Sequence, residues 1–277
     1  MLSSLEQTLN YKEYSVHFSM ALRLAQNYKI YNLYHILLRK SSLVFTGTTA
    51  VKYLMKAKKY FENKNDIEYA MSSYNLASEY IYLGERELAQ ENLDIAFNIL
   101  STKNHSALNC VQIEYSIYYS IYYSEYEKAF QILEKVDWQY DEDFVKMVFY
   151  FNLSTICRKL DRIELCKDYL SKMEEINFKE ENNLPYFNKY RYAQKGYIAM
   201  TENQYNDALK FFYLYLNTAY KNKVENDLSI IYNIIILSDI LNVSIPAYIT
   251  ENRYFQNKMA KSLCDRQLLF CELSFWE

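Results

Sequence analysis

The sequence predicts an all-α fold built from paired helices, on the basis of three observations. The 277 residues include only 3 glycines and 2 prolines, whereas globular proteins contain about 7% and about 5%. Sheet-rich folds need many tight turns and so more of both residues, but an array of helices does not. Helical periodicity is clear between residues 74 and 100. The same unit then returns along the chain at intervals of 40, 37 and 42 residues.

The clearest unit contains two amphipathic helices joined at a glycine. Leu76, Ala77, Tyr80 and Leu83 form one apolar stripe with a 3.6-residue period. Gly84 permits the left-handed backbone conformation that ends a helix. A second stripe, which can face the first, follows at Leu88, Ala89, Leu93, Ala96, Phe97 and Leu100. This pattern predicts a helical hairpin with small residues at its interface.

Four columns of residues repeat this unit in register. A small residue early in the second helix recurs at Ala89, Ala129, Cys166 and Ala208. Larger apolar residues follow one turn later at Leu93, Leu133, Leu170 and Phe212. The next apolar position holds Ala96, Val136, Met173 and Tyr215. The turn between the helices holds Gly84, Ser124, Asp161 and Asn203, all of which favour turns.

These columns make the chain resemble the tetratricopeptide repeat superfamily. The match is carried by Asn75-Leu76-Ala77, Tyr80, Gly84, Ala89, Leu93 and Ala96. The tryptophan frequent near the start of the first helix is replaced by Ser73. The resemblance implies a right-handed α-solenoid of antiparallel helix pairs, with about five to six repeats and a C-terminal capping segment. It also implies that the first helix of each pair lines a concave groove.

The chain divides into three predicted regions. Residues 1–62 hold N-terminal helices and a degenerate repeat, with helices over 28–45 and 50–62 separated by Gly47. Residues 63–242 form the repeat array, and its fifth unit begins at Glu225. Residues 243–277 form a cap, in which Pro246 precedes a helix over 247–263. The apolar tail 268–277 is expected to pack on the last helix, against a partner or against another part of a larger protein.

Composition and charge argue against several kinds of protein. The net charge of −3 gives no electrostatic reason to expect nucleic-acid binding. We also expect no membrane span and no secretory signal, which makes the cytoplasm the expected location. The five cysteines lack metal-binding spacing and are expected to be reduced core residues. His17, His35 and His105 are scattered, and no phosphate-binding glycine loop occurs. We therefore expect no metal, no cofactor and no enzymatic activity.

Candidate binding residues flank the apolar stripe of each first helix. The resemblance assigns to the groove Tyr74, Asn75, Ser78, Tyr82, Glu114, Tyr118, Tyr122, Phe151, Asn152, Thr155, Arg158, Lys159, Tyr190, Gln194, Tyr197, Met200 and Asn233. Asn75, Asn152, Gln194 and Asn233 share one column, with Tyr115 as the exception. Such a row of amides can hold the backbone of an extended peptide. Alternatively, each amide can form a hydrogen bond with a neighbouring helix.

The function expected from these features is non-enzymatic binding of a protein or short peptide in the concave groove. The 31 tyrosines suit such recognition, because tyrosine supplies rigid contact area and a hydroxyl group. The expected role is the sensor or regulatory part of a bacterial signalling or defence system, similar to the sensor arms of signal-transduction NTPases. One alternative is a regulator similar to the peptide-pheromone receptors. Another is a structural scaffold or dimerisation module, so a homodimer is possible.

Overall fold

The predicted all-α fold is confirmed by a computed structural model, which describes residues 11–136, 143–176, 184–221 and 228–247. Within these ranges the chain forms twelve α-helices and no strand. The helices are α1 Tyr11–Asn27, α2 Tyr31–Arg39, α3 Thr48–Phe61, α4 Asp66–Leu83, α5 Arg86–Thr102, α6 Leu108–Tyr123, α7 Tyr126–Glu134, α8 Asp143–Lys159, α9 Ile163–Glu175, α10 Leu184–Thr201, α11 Tyr205–Lys221 and α12 Leu228–Ile240. A short 3₁₀ helix, Lys40–Leu43, follows α2.

The chain separates into two compact units, Met1–Asn183 and Leu184–Glu277. In each unit, consecutive helices pack on one another. In the first unit, α2 also contacts α4, α4 contacts α6, and α6 contacts α8. The even-numbered helices α2 to α8 are therefore the first helices of successive pairs, as in tetratricopeptide-like repeats.

The column of small residues is buried in each pair. Ala89, Ala129, Cys166 and Ala208 are all fully buried. The next column contains the fully buried Leu93, Leu133 and Phe212, with Leu170 half-buried. Small side chains allow two helix backbones to approach, and the larger residues one turn later fill the space beside them. The repeat pattern expected from the sequence is thus confirmed in the core.

The four predicted turn residues all adopt a left-handed backbone conformation. Their φ angles are +79° at Gly84, +53° at Ser124, +57° at Asp161 and +60° at Asn203. In three of the pairs, the backbone N–H of the residue after the turn residue donates to the carbonyl oxygen five residues before it. These bonds join Glu85 to Tyr80 (2.9 Å), Arg162 to Cys157 (2.8 Å) and Gln204 to Ala199 (2.8 Å).

The end of α6 contains one more residue than the other three first helices. The backbone N–H of Glu125 reaches back six residues, to the carbonyl of Tyr119, at 3.2 Å. Tyr119 therefore occupies the position of Tyr80, and every earlier residue of α6 shifts by one. Glu114 consequently takes the position of Asn75 in the polar column. Tyr115, which the sequence alignment placed there, instead donates its hydroxyl to the Asp94 carboxylate on α5.

The remaining sequence predictions have mixed outcomes. Gly47 breaks the chain before α3 with φ +65°, and its backbone N–H donates to Glu79 Oε2 at 2.6 Å. The fifth unit supplies α12. The cap helix over 247–263 and the apolar tail lie outside the described residues, apart from residue 247 itself. The region boundaries at residues 62 and 242 stay predictions.

Candidate functional site

The first-helix face is the side of the first unit where α2, α4, α6 and α8 meet. The contact between α2 and α4 is polar. Asn75 Nδ2 donates to the Arg39 carbonyl oxygen at 2.9 Å, across the two helices. Arg39 Nε also donates to Glu68 Oε2 at 2.7 Å, in a largely buried ion pair. Asn75 thus links its helix to the preceding first helix.

A second polar group joins α4 to α6 and contains three of the predicted residues. The Ser78 hydroxyl interacts with the Glu114 carboxyl and with the Tyr74 hydroxyl, and it favours the ionised form of each group. Burial raises the pKa of Glu114 to about 7, although the bond from Ser78 favours the ionised form. Burial and the nearby Glu114 charge hold the pKa of Tyr74 well above its ordinary value. The group therefore contains a carboxyl that titrates near neutral pH.

The predicted tyrosines of this face have different surroundings. Tyr82 is 68% exposed and lies at the last turn of α4. Tyr122 is half-buried, and its hydroxyl donates to the Ile81 carbonyl oxygen at 3.1 Å, again linking α6 to α4. Tyr118 is fully buried and donates to Gln90 Oε1 on α5 at 3.1 Å. Tyr118 therefore lies in the core between α5 and α6.

Two of the candidates on α8 form hydrogen bonds within their own helix. Asn152 Nδ2 donates to the Val148 carbonyl oxygen at 2.8 Å. Thr155 Oγ1 donates to the Phe151 carbonyl oxygen at 2.9 Å. Phe151, Asn152, Thr155 and Arg158 are half-buried, and Lys159 is exposed. These side chains are partly accessible on α8.

The second unit holds the remaining candidates. Tyr197 is half-buried, and its hydroxyl forms a 2.6 Å hydrogen bond with Ser229 Oγ on α12. Tyr190 is half-buried beside Lys189, whose Nζ lies 4.7 Å from the centroid of the ring. The two amides of the column here, Gln194 and Asn233, are buried, as is Met200.

Within the amide column, the contact of Asn75 matches the second expected role, a bond to a neighbouring helix. Asn75 bonds a neighbouring first helix, and Asn152 bonds its own helix. Glu114, at the equivalent position of α6, bonds Ser78 on the preceding first helix. Binding of a peptide by these amides stays a prediction.

Sequence reasoning missed a pocket on the other side of the first unit, which we call the second-helix pocket. It has a volume of about 540 Å³ and is lined by residues of α3, α4 and α5 and by Glu62. Lys58 Nζ donates to Asn92 Oδ1 at 2.7 Å across it. The basic helix over 50–62 was visible in the sequence, but its pairing with Asn92 depends on how two repeats stack.

Two buried thiols bear on whether the chain could carry out chemistry. Cys157 and Cys166 are buried free thiols, and burial raises the pKa of Cys157 to about 12, which makes it unreactive at neutral pH. Within the described residues, no cluster of histidine, cysteine, aspartate or glutamate could hold a metal ion. None of the described helices is long and apolar enough to cross a membrane.

Comparison with solved structures finds proteins of similar fold. The structure is similar to the crystal structure of PilW, described as a widely conserved type IV pilus biogenesis factor, with a TM-score of 0.50 and 16% sequence identity. The match covers 90% of this chain and 94% of that chain. It supports a tetratricopeptide-like helical repeat fold and nothing more specific. No family model matches the sequence, and no curated protein matches it.

Proposed function

We propose that the chain is a non-enzymatic module that binds a protein or a short peptide on the first-helix face. Stacked helical repeats bury a continuous core and leave a long row of side chains for a partner. The group formed by Tyr74, Ser78 and Glu114 is the observation that carries this proposal. It places a desolvated carboxyl and two hydroxyls at the contact of two first helices, where the sequence resemblance predicts a groove.

The chemistry of this group indicates what the partner provides. An ionised carboxylate in a desolvated site gains most from a cation that replaces its lost hydration. The partner therefore carries a lysine, an arginine or a free N-terminal amine opposite Glu114. The exposed ring of Tyr82 offers additional contact area on the same helix.

Selection of peptides from a random library displayed on phage tests the proposal. The affinity of each selected peptide is then measured by isothermal titration calorimetry for the wild type and for Glu114→Gln. We expect selected peptides to be cationic and to bind the variant about tenfold more weakly, as for loss of one charge-assisted hydrogen bond. Glu164→Gln is the control, because this exposed carboxylate on α9 pairs with its helical neighbour Lys167.

Binding at the expected site also depends on pH. Because the pKa of Glu114 is about 7, the carboxylate is mostly protonated at pH 6 and mostly ionised at pH 8. Affinity for a cationic peptide should rise between these values and stay constant in Glu114→Gln. Selected peptides whose affinity is unaffected by the Glu114 and Ser78→Ala substitutions would overturn the proposal.

The biological setting is proposed from the sequence resemblance. We place the module in the sensor or regulatory part of a bacterial signalling or defence system, in the cytoplasm. A regulator similar to the peptide-pheromone receptors is the alternative. Binding of one defined short peptide with micromolar or better affinity favours that alternative over recognition of a folded protein surface.

A scaffold or dimerisation module is the second candidate, because α1 carries an exposed apolar stripe. Val16, Met20 and Leu24 repeat every four residues, and each is between 52% and 55% exposed. Analytical ultracentrifugation of the wild type and Met20→Glu tests this role. A dimer that the substitution dissociates supports it, and a wild-type monomer at high micromolar concentration counts against it.

A further inference from the structure

The second-helix pocket contains a cation in unusual surroundings. Lys58 is half-buried, and its Nζ lies 5.4 Å from the centroid of the Tyr69 ring. It donates a hydrogen bond to Asn92 Oδ1, which is a neutral acceptor. Asn92 is itself only 4% exposed, and its Nδ2 donates to the Leu88 carbonyl oxygen at 2.8 Å. The position of the ammonium group is therefore fixed by a buried residue.

The charge of Lys58 is incompletely compensated. No carboxylate among the described residues lies within ion-pair distance of its Nζ, and Glu91 and Glu62 act on it only at longer range. Burial lowers the pKa of Lys58 despite these two carboxylates. An anion that enters the pocket would restore the lost stabilisation of the ammonium group.

The walls of the pocket add an apolar surface beside this cation. Met55 is 55% exposed and Leu88 is 40% exposed, and both line the pocket. Leu76 and Tyr80 lie at its buried base. Exposed apolar side chains around a fixed polar group are typical of sites that bind one anchoring side chain of a partner.

We propose that the second-helix pocket binds an acidic segment of a partner protein. One aspartate or glutamate carboxylate of that segment pairs with Lys58, and a neighbouring large apolar side chain contacts Met55 and Leu88. The pocket favours a single carboxylate over a doubly charged phosphate, because its three lysines exceed its two glutamates by only one charge. This site is independent of the first-helix face proposed above.

Methyl NMR with ¹³C-labelled methionine tests the proposal. The probe is the peptide acetyl-Gly-Glu-Leu-Phe-Gly-amide, and the matched peptide carries glutamine in place of glutamate. Met55, assigned with Met55→Leu, reports binding in the pocket. We expect the glutamate peptide to shift the Met55 signal with saturation and the glutamine peptide to bind about tenfold more weakly.

Variants locate the effect on the ammonium group. Lys58→Met should abolish the difference between the two peptides, whereas Lys52→Met, at an exposed lysine on the same helix, should preserve it. Met55→Glu is a second variant, and binding to it is observed through the backbone amide signals of α5. It should weaken binding of the glutamate peptide, because the two carboxylates repel each other.

Three results would overturn the proposal. The first is a Met55 signal that the glutamate peptide leaves unchanged. The second is equal binding of the two peptides, and the third is an equal shift with inorganic phosphate at the same concentration. Since Glu114→Gln leaves this pocket intact, a failure here is distinct from a failure of the first-helix face.

Discussion

The pairs α4–α5 and α10–α11 make the same contact with side chains of different size. Aligned by their turns, Ala77 corresponds to Gly196, and Leu93 corresponds to Phe212. In α4–α5, Ala77 and Leu93 lie in one buried cluster. In α10–α11, a Cβ built on Gly196 would lie 2.7 Å from Cδ1 of the Phe212 ring, well inside normal contact. The smaller residue of one helix therefore accommodates the larger residue of the other.

This difference shows that the repeat conserves the combined size of two facing residues more than either residue alone. Interiors are close-packed, so a larger ring on one helix requires an equal reduction on its neighbour. Glycine inside α10 costs helix stability relative to alanine, and close packing against Phe212 is what it provides. A column read one residue at a time misses this pairing.

The largest expected loss of stability comes from a position where neither pair has room for a larger side chain. Ala89 and Ala208 are equivalent and fully buried. Ala89→Phe should lower the free energy of unfolding by about 3 kcal/mol, because it overpacks the buried core of the pair. Urea unfolding measures this, with the exposed Glu87→Phe as a control of similar bulk. A variant as stable as the control would contradict the repeat assignment.

A smaller loss of stability should follow from adding one methyl group to the pair α10–α11. Gly196→Ala places that group against the Phe212 ring and should cost about 2 kcal/mol. Adding Phe212→Leu recreates the alanine–leucine combination of α4–α5 and should restore at least half of the loss. Thermal unfolding of the single and double variants gives the coupling free energy between positions 196 and 212. If the two effects simply add, the proposed compensation is wrong.

The comparison extends to the polar column, where α6 carries a carboxyl in place of an amide. The folded-state pKa of Glu114 is raised to about 7 from an ordinary 4.5. The protonated Glu114 side chain therefore makes its full contribution to the free energy of unfolding below pH 4.5, and this contribution is lost as the pH rises to about 7. Glu114→Gln should remove this loss and be about 1–2 kcal/mol more stable than wild type at pH 8. Urea unfolding from pH 4.5 to 8 tests this, and parallel profiles of the two proteins would contradict it.

The smallest expected effect is at the turn. Gly84 has φ +79° and no heavy atom near its missing Cβ, so Gly84→Ala meets only backbone strain. It should cost about 1 kcal/mol. Gly84→Asn should cost less than half as much, because the turn after α10 has Asn203 in the same left-handed conformation. Equal losses in the two variants, measured by thermal unfolding, would show that the turn has another constraint.

Much of the fold could be predicted from the sequence, because its determinants are local. The left-handed turn residues and the buried small column depend on neighbours within one helical hairpin, so single residues such as Gly84 and Ala89 identify them. The extra residue at the end of α6 left no comparable mark, since Ser124 fits the turn column in either register. Only the bond from Glu125 to Tyr119 distinguishes the two.

The candidate site was less predictable, because it depends on contacts between repeats. Asn75 bonds Arg39, which is 36 residues earlier, and Lys58 bonds Asn92, 34 residues later. Sequence periodicity places such residues on a helix but does not say which side chain of the next repeat they meet. For the same reason Tyr118, which the family resemblance assigned to the groove, lies in the core against Gln90.

The short turns within the helix pairs also have a kinetic consequence. Ser154 and Cys166 form a buried hydrogen bond although only 12 residues separate them, and the equivalent helices of the other pairs meet over similarly short separations. Chains dominated by such local contacts fold quickly, since closing a short loop costs little entropy. Each hairpin can therefore form as soon as its second helix leaves the ribosome, and the next hairpin then assembles on it.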